Sequence, residues 1–234
     1  MNEFSPAITE KSDISFWYGI PHGYLQIDLA PSLEQIENLV EQVLDLPNEL
    51  REQAEELLRF YSGVITALNA NNVRGCAIGL HRDDVGGFAS STLTISTVPT
   101  PGVNAKLILS SMAGTAYGAQ EGGVRPMRLP CGIGFLAEEK RHTVAPGRPP
   151  EGGVAPLEGT IWQGAVAVTG SGTPDIIVIQ LVTSAVHLAD DYRNVLLGVA
   201  HTLTFTDPSL PRARDDTKDL DPTSAIATIR NDFG

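Results

Sequence analysis

The sequence has little cysteine and no long apolar run. Cys76 and Cys131 are its only cysteines, and two thiols in a chain without a secretory signal do not make a disulfide framework, so we expect both to be reduced. Residues 1–15 contain no basic start followed by an apolar core, which predicts a cytoplasmic protein. Every uncharged run falls short of the ~20 apolar residues of a membrane helix, and we expect no membrane insertion.

Positive charge is scarce as well. Sixteen Lys and Arg stand against 28 Asp and Glu, for a formal net charge of -12. Scattered basic residues cannot neutralise a run of phosphates, so we expect no nucleic-acid binding. The acidic residues are concentrated in one segment, since nine acidic residues and one basic residue, Arg51, lie between Asp28 and Glu56. This segment predicts a solvated acidic face, with a site for a basic partner or a cation as the alternative.

The clearest pattern that is present lies near the C-terminal end. Residues 175–183 form an apolar, β-branched run that predicts a strand buried on both faces. Asp190 or Asp191 is the predicted N-cap of a helix that follows. Residues 202–206 alternate polar with apolar side chains and predict a half-buried strand. The apolar stripe predicted for the helix consists of Tyr192, Val195, Leu196, Val199 and Ala200.

Two acidic helices are predicted in the first third of the chain, after a strand at residues 24–29. Ser32 with Gln35 three positions later is a capping-box start, and Pro47 begins the second helix, which runs to about Asn69. The predicted buried positions are Leu25, Ile27 and Leu29 in the strand, Leu33, Ile36, Val40 and Val43 in the first helix, and Leu50, Ala54, Leu57, Tyr61, Val64 and Leu68 in the second.

The middle of the chain predicts hairpins. Residues 82–87 have the Asp and Gly composition of a tight turn between two strands. The predicted strands span residues 76–80, 88–98, 124–129, 133–141 and 162–169, with a short helix at 104–117 and a surface loop at 143–158. Because these segments pair as hairpins, the predicted fold class is α+β, a mainly antiparallel sheet packed by helices. We predict a flexible arm at 1–15, one domain at 16–207 and a flexible tail at 208–234.

One turn concentrates functional side chains. His81, Asp83 and Asp84 could bind a metal ion or provide a general base, and they are the candidate catalytic residues of this sequence. The alternative is a plain hairpin turn, since no second His stands nearby at metal-ligand spacing. No other motif indicates a metal or a cofactor, and we expect neither. Weaker candidates are a Cys131 thiol with His142 or His81 as its base, and a phosphate loop at residues 170–172, which opens a strand rather than a helix.

Histidines and tryptophans have structural interpretations. His187 and His201 flank the helix after residue 190, and His201 is predicted to interact with the C-terminal end of that helix. Trp17 and Trp162 are predicted as core or rim aromatics, although one of them could line a binding groove.

The tail carries a second candidate. Ile226, Ile229 and Phe233 recur at helical spacing within residues 223–234, behind a polar linker. This layout is typical of a docking peptide that folds into the groove of a partner protein. The alternatives are a short helix packed on its own domain, or a disordered end.

Several of these stretches together resemble a group of uncharacterised actinobacterial proteins. The resemblance spans roughly residues 16–206 and includes Trp17, GLHRDDVGGFASSTLTISTV, LPCG and DDYRNVLLGVAHTLTF. The closing strand and the helix bearing Tyr192 are also similar to the PsbP-like sandwich fold, which includes the mycobacterial LpqN-type lipoproteins. That resemblance implies an antiparallel sheet with helices on its faces, and no catalytic residues. The chain lacks the lipobox cysteine of the LpqN type.

The expected function is therefore non-enzymatic. We predict a protein-binding, assembly or adaptor protein, which contacts a protein partner or a second copy of itself, with the tail as a possible contact. One alternative is a small hydrolase or metal-dependent enzyme that uses His81, Asp83 and Asp84. Another is a carrier of small ligands that uses the sheet face near Trp17 and Trp162.

Overall fold

The structure is a computed structural model that describes residues 4–6, 15–83, 86–100, 124–144, 158–170 and 175–209. A 3-10 turn, Val186–Leu188, precedes the last helix. The predicted helix at 104–117, most of the predicted loop at 143–158 and the tail from residue 210 lie outside the described residues. The elements in chain order are β1 (Phe4–Pro6), β2 (Trp17–Gly19), β3 (Tyr24–Ile27), α1 (Leu33–Leu44), α2 (Asn48–Ala70), β4 (Val73–Arg82), β5 (Phe88–Pro99), β6 (Arg125–Leu129), β7 (Gly132–Val144), β8 (Glu158–Thr169), β9 (Asp175–Thr183) and α3 (Ala189–Thr202).

The predicted fold class is confirmed. In the described residues, seven strands form one sheet in the order β3-β4-β5-β9-β8-β7-β6, and all neighbouring strands are antiparallel. The segment predicted as an arm contains β1, which pairs with β2, and a bridge from Trp17 to Thr204 joins β2 to the chain after α3. No helix in the described part of the chain is long and apolar enough to cross a membrane.

One face of the sheet, which we call the covered face, packs against α3 and holds the main core. Because side chains alternate along a strand, β5, β9 and β8 each place a row of apolar side chains on this face. The helix contributes Tyr192, Leu196, Val199 and Ala200, which are all buried. The strand residues in this core include Leu93, Ile95, Trp162, Val166, Val168, Ile177, Ile179 and Leu181.

The opposite face, which we call the open face, is more polar and less buried. Thr92, Thr94 and Ser96 alternate with the core residues of β5, and Gln180 does the same in β9. Ile78 on β4 is 44% exposed. The last turns of α2 lie over the centre of this face, where they line a groove together with β5 and β9. The two faces of one sheet therefore differ in what covers them.

Two predictions around α3 are wrong. Residues 202–206 do not form a strand, because Thr202 ends α3 and its hydroxyl donates to the carbonyl of Val199 at 2.7 Å. The apparent alternation arises from Leu203, which is buried in the core just after the helix, and from Phe205, which is partly buried against that core. Asp190 and Asp191 are not N-caps either, because the helix begins at Ala189. Both acids lie in the first turn, where a negative charge interacts favourably with the helix dipole.

The predicted buried face of the first strand is wrong as well. β3 is an edge strand, and Leu25 lies opposite Ile78 with 72% of its surface exposed. Leu25 and Ile78 lie on the open face, and alternation in a sequence does not reveal which face of a strand the rest of the chain covers. By contrast, β9 is the central strand of the sheet, fourth from either edge, and its predicted bounds are confirmed at Asp175–Thr183.

Candidate functional site

The segment with His81, Asp83 and Asp84 folds as a tight turn. The Asp83 amide donates to the carbonyl of Gly87 at 2.9 Å, and the Gly86 amide donates to the carbonyl of Asp83 at 2.9 Å. Gly86 has a φ of 89°, a backbone angle that glycine adopts without strain. Asp84 lies outside the described residues. The interpretation of this segment as a hairpin turn is confirmed.

His81 lies among aromatic side chains of the covered face. Its ring centroid is 5.4 Å from that of Tyr24 and 6.3 Å from that of Tyr192. The Tyr24 hydroxyl is 2.6 Å from the hydroxyl of Ser91, and burial raises the pKa of the Tyr24 phenol. Within the described part of the chain, His81 Nε2 and the Tyr192 hydroxyl are buried and have no hydrogen-bond partner. These contacts tie β3, β4 and α3 together.

Asp83 faces a different partner, which the sequence did not indicate. Its two carboxylate oxygens lie 3.2 and 3.1 Å from Nε2 of His187, in the 3-10 turn before α3. The two residues are 104 positions apart, and no local pattern links them. In the described ranges, no three His, Cys, Asp or Glu side chains form a group that could hold a metal ion. His81 and Asp83 thus each contact a separate part of the covered side.

The cysteines do not have the surroundings of activated nucleophiles. Burial raises the pKa of both thiols, Cys76 and Cys131, whereas a reactive thiolate needs a lowered pKa. The candidate base His142 directs its Nε2 toward Glu158, at 3.3 Å, across the β7–β8 pair. The prediction for His201 is confirmed, because its Nδ1 lies 2.8 Å from the carbonyl oxygen of Leu197 in the last turns of α3.

The two acidic helices form a helical hairpin, α1 and α2 together, which we call the hairpin. The predicted capping box is confirmed, because the Gln35 amide donates to the Ser32 hydroxyl at 3.2 Å and the Ser32 amide donates to the Gln35 side chain at 2.6 Å. Arg51 closes the connection by donating to the carbonyl oxygens of Leu44 and Leu46, at 2.6 and 3.1 Å. The hairpin is therefore a defined element.

Unlike α3, the hairpin leaves most of its apolar side chains exposed. None of the 23 residues of α2, all of which the structure describes, is buried, and α1 buries Val43 alone. The predicted buried positions Leu50 and Leu57 are 52% and 67% exposed, which contradicts the prediction. Four of the six predicted positions on α2 are nevertheless half-buried. The half-buried apolar stripe consists of Ala54, Leu58, Tyr61, Val64, Ile65 and Leu68.

A second apolar row runs beside that stripe, and we call it the outer seam. Leu50, Leu57 and Val64 recur at every seventh residue, and Phe60 and Ala67 occupy the second apolar position of the same heptad. Phe60 is 62% exposed. Glu49 and Glu56 stand at the heptad positions that flank such a seam. Val64 is half-buried and belongs to both rows, so heptad spacing indicates the outer seam but only the exposure of Leu57 and Phe60 separates it from the half-buried stripe.

A groove lies between the last turns of α2 and the open face. Its volume is about 540 Å³. By contrast, the face near Trp162 is filled, because this side chain is 2% exposed and its ring occupies the space over Gly164. The part of the predicted carrier surface that includes Trp162 is therefore packed core, whereas Trp17 is only half-buried. The groove is lined by Val64, Ala67, Leu68, Asn71, Val73, Thr92, Thr94, Ser96, Gln180 and Val182.

Comparison with known proteins returned no relative. The chain matches no protein-family model, no curated protein and no solved structure. The resemblance to actinobacterial proteins and to the PsbP-like sandwich therefore stays a prediction. What the structure shows is an α+β chain with an antiparallel sheet, one covered face, one open face and an exposed acidic hairpin.

Proposed function

We propose that this protein is a non-enzymatic binding protein, which holds a basic amphipathic helix of a partner protein along the outer seam. The observation that supports the proposal is the exposure of Leu57 and Phe60, at 67% and 62%, in a heptad row on a regular helix. Exposed apolar side chains at heptad spacing are suited to packing against another helix. The part of the row outside the groove, from Leu50 to Phe60, is roughly 15 Å long, which corresponds to about three turns of a partner helix.

Burial of these side chains would supply the binding energy. Each fully buried Leu or Phe side chain gains about 1.5–3 kcal/mol over the exposed state. Monomeric proteins rarely leave large contiguous apolar patches in water. On α1, Leu33 and Ile36 are 79% and 44% exposed. They add apolar surface to the hairpin beyond the outer seam.

Charge determines the kind of partner. Eight more acidic than basic residues lie between Asp28 and Glu56, in and around the hairpin. Two copies of this chain would bring like charges together at such an interface, which is unfavourable. A partner helix with Lys or Arg at the flanking heptad positions would instead pair with Glu49 and Glu56. We therefore propose a basic partner in preference to self-assembly.

A synthetic helix tests the proposal directly. The probe is a fluorescein-labelled 18-residue peptide with Leu at both apolar heptad positions and Lys elsewhere, and a matched peptide has Glu in place of Lys. We expect saturable binding of the Lys peptide by fluorescence anisotropy, with at least a tenfold weaker affinity for the double variant Leu57→Asn and Phe60→Asn. The variant Phe88→Asn is the matched control, because Phe88 is 72% exposed on β5, away from the hairpin.

The outcome separates the alternatives. Equal affinity for the double variant and the wild type, or equal binding of the Glu peptide, would overturn the proposal. A dimer in sedimentation experiments that is lost in the double variant would show that a second copy occupies the seam. Deletion of residues 210–234 tests the tail, with Ile226, Ile229 and Phe233, as a separate proposed contact. Circular dichroism and urea unfolding verify that each variant is folded.

A further inference from the structure

The groove under α2 has a polar floor made by two neighbouring strands. Thr92, Thr94 and Ser96 point to the same face of β5, so successive side chains stand about 6.8 Å apart. Gln180 on β9 lies directly opposite Thr94 in the antiparallel pairing. Hydroxyl and amide groups both donate and accept hydrogen bonds. The floor is therefore a short row of neutral hydrogen-bonding groups.

The roof of the groove is mainly apolar. Val64, Ala67 and Leu68 of α2 line it, the polar Asn71 follows them at the end of the helix, and Val182 of β9 adds one apolar position to the floor beside Thr92. A ligand in the groove would contact hydrogen-bonding groups on one side and hydrocarbon on the other. The volume of about 540 Å³ lies within the range of about 300–1,000 Å³ that is typical of small-molecule sites.

The lining contains no charged side chain, although the whole chain has a net charge of -12. A charged ligand would lose part of its hydration in this groove without gaining a counter-charge, and that loss is costly. Phosphates, carboxylates and ammonium compounds are therefore disfavoured. The chemistry of the lining selects for neutral molecules.

We infer that the groove binds a neutral amphipathic small molecule, with hydroxyl or carbonyl groups along one side and a hydrocarbon surface along the other. The ligand lies over β5 and β9 with its polar side on the threonine row and its apolar side against the last turns of α2. This site goes beyond the proposed protein-binding function. It shares Val64 and Ala67 with the outer seam but not Leu57 or Phe60, so the two proposals fail separately.

Two related dyes provide the first test. N-phenyl-1-naphthylamine is neutral, and 8-anilino-1-naphthalenesulfonate is its anionic relative. We expect saturable fluorescence enhancement with the neutral dye and at least tenfold weaker binding of the anionic dye. Equal binding of both dyes would overturn the inference. Loss of neutral-dye binding in the Leu57→Asn and Phe60→Asn double variant would also overturn it, because the dye would then be bound at the outer seam.

Competition and a space-filling variant complete the experiment. Octyl glucoside, used below its micelle concentration, should displace the neutral dye, whereas octanoate at the same concentration should not. Ala67→Trp should reduce dye affinity at least tenfold because it fills the groove, and Ala70→Trp, on the same helix but outside the lining, is the matched control. The double variant Thr92→Val and Thr94→Val keeps the shape of the groove, and it should weaken the binding of octyl glucoside more than the binding of the dye. Unchanged binding in both the tryptophan and the valine variants would overturn the inference.

Discussion

The two long helices α2 and α3 make opposite use of similar amphipathic patterns. α3 has 14 residues and buries five of them, Ala189, Tyr192, Leu196, Val199 and Ala200. α2 has 23 residues and buries none. The shorter helix is part of the core, and the longer one meets the sheet mainly at its C-terminal turns, where it lines the groove.

This difference separates stability from binding. Stability comes from side chains that leave water during folding, so it should depend on α3 and the covered face. Apolar side chains that remain exposed after folding, such as Leu57 on α2, have their burial energy still available for a partner. Substitutions on α3 should therefore change the free energy of unfolding, and substitutions on the outer seam should change affinity.

The largest expected effect comes from truncating one leucine on each helix. Leu196→Ala should lower the free energy of unfolding by about 2–5 kcal/mol, because Leu196 is fully buried and the change leaves a cavity. Leu57→Ala should change it by less than about 0.5 kcal/mol, since the side chain is 67% exposed. Urea unfolding of both variants measures the difference. A large loss for Leu57→Ala would mean that the outer seam is covered by the chain itself.

Substitution of two glycines by alanine should change the free energy of unfolding by smaller amounts, with opposite signs on the covered face and on α2. A Cβ at Gly164 would lie 2.5 Å from the ring of Trp162 and 2.8 Å from Leu196, so Gly164→Ala should destabilise by about 1–3 kcal/mol through overpacking. A Cβ at Gly63 in α2 would meet nothing within 4 Å. Gly63→Ala should therefore stabilise by about 0.5–1 kcal/mol, because alanine favours the helix. Thermal unfolding of both variants checks the signs, and destabilisation by Gly63→Ala would contradict the open position of α2.

The sequence predicted the elements better than their surroundings. Local chemistry defines an element, and so the capping box of Ser32 and Gln35 and the apolar run of β9 both located their elements correctly. Burial depends on what lies opposite, which periodicity does not reveal. Leu57 therefore belongs to an apolar stripe in sequence and to the exposed surface in the structure.

The candidate site was less predictable for the same reason. His81 and Asp83 are two positions apart, and their partners Tyr192 and His187 lie 104 or more positions further along the chain, in α3 and in the 3-10 turn before it, so no local pattern reveals these contacts. The groove requires β5 and β9 to be neighbours in the sheet. These two strands are not consecutive in the chain, so the predicted β-hairpins do not reveal that they pair. The heptad row on α2 is visible in the sequence, but it shares Val64 with the half-buried stripe. Only the exposure of Leu57 and Phe60 in the structure distinguishes the two rows.

The smallest effect should come from two adjacent glutamates that lie on opposite faces of β7. Glu138 faces α3 on the covered face, accepts a hydrogen bond from Arg193 at 2.5 Å and also pairs with Arg125, and its side chain is 14% exposed. Glu139 is 50% exposed and lies 3.7 Å from Arg141. Glu138→Gln should destabilise by about 1–2 kcal/mol because charge-assisted hydrogen bonds are lost, whereas Glu139→Gln should cost less than about 0.5 kcal/mol. Urea unfolding at low salt measures both, and equal losses would show that contact with α3 does not distinguish the two faces of the sheet.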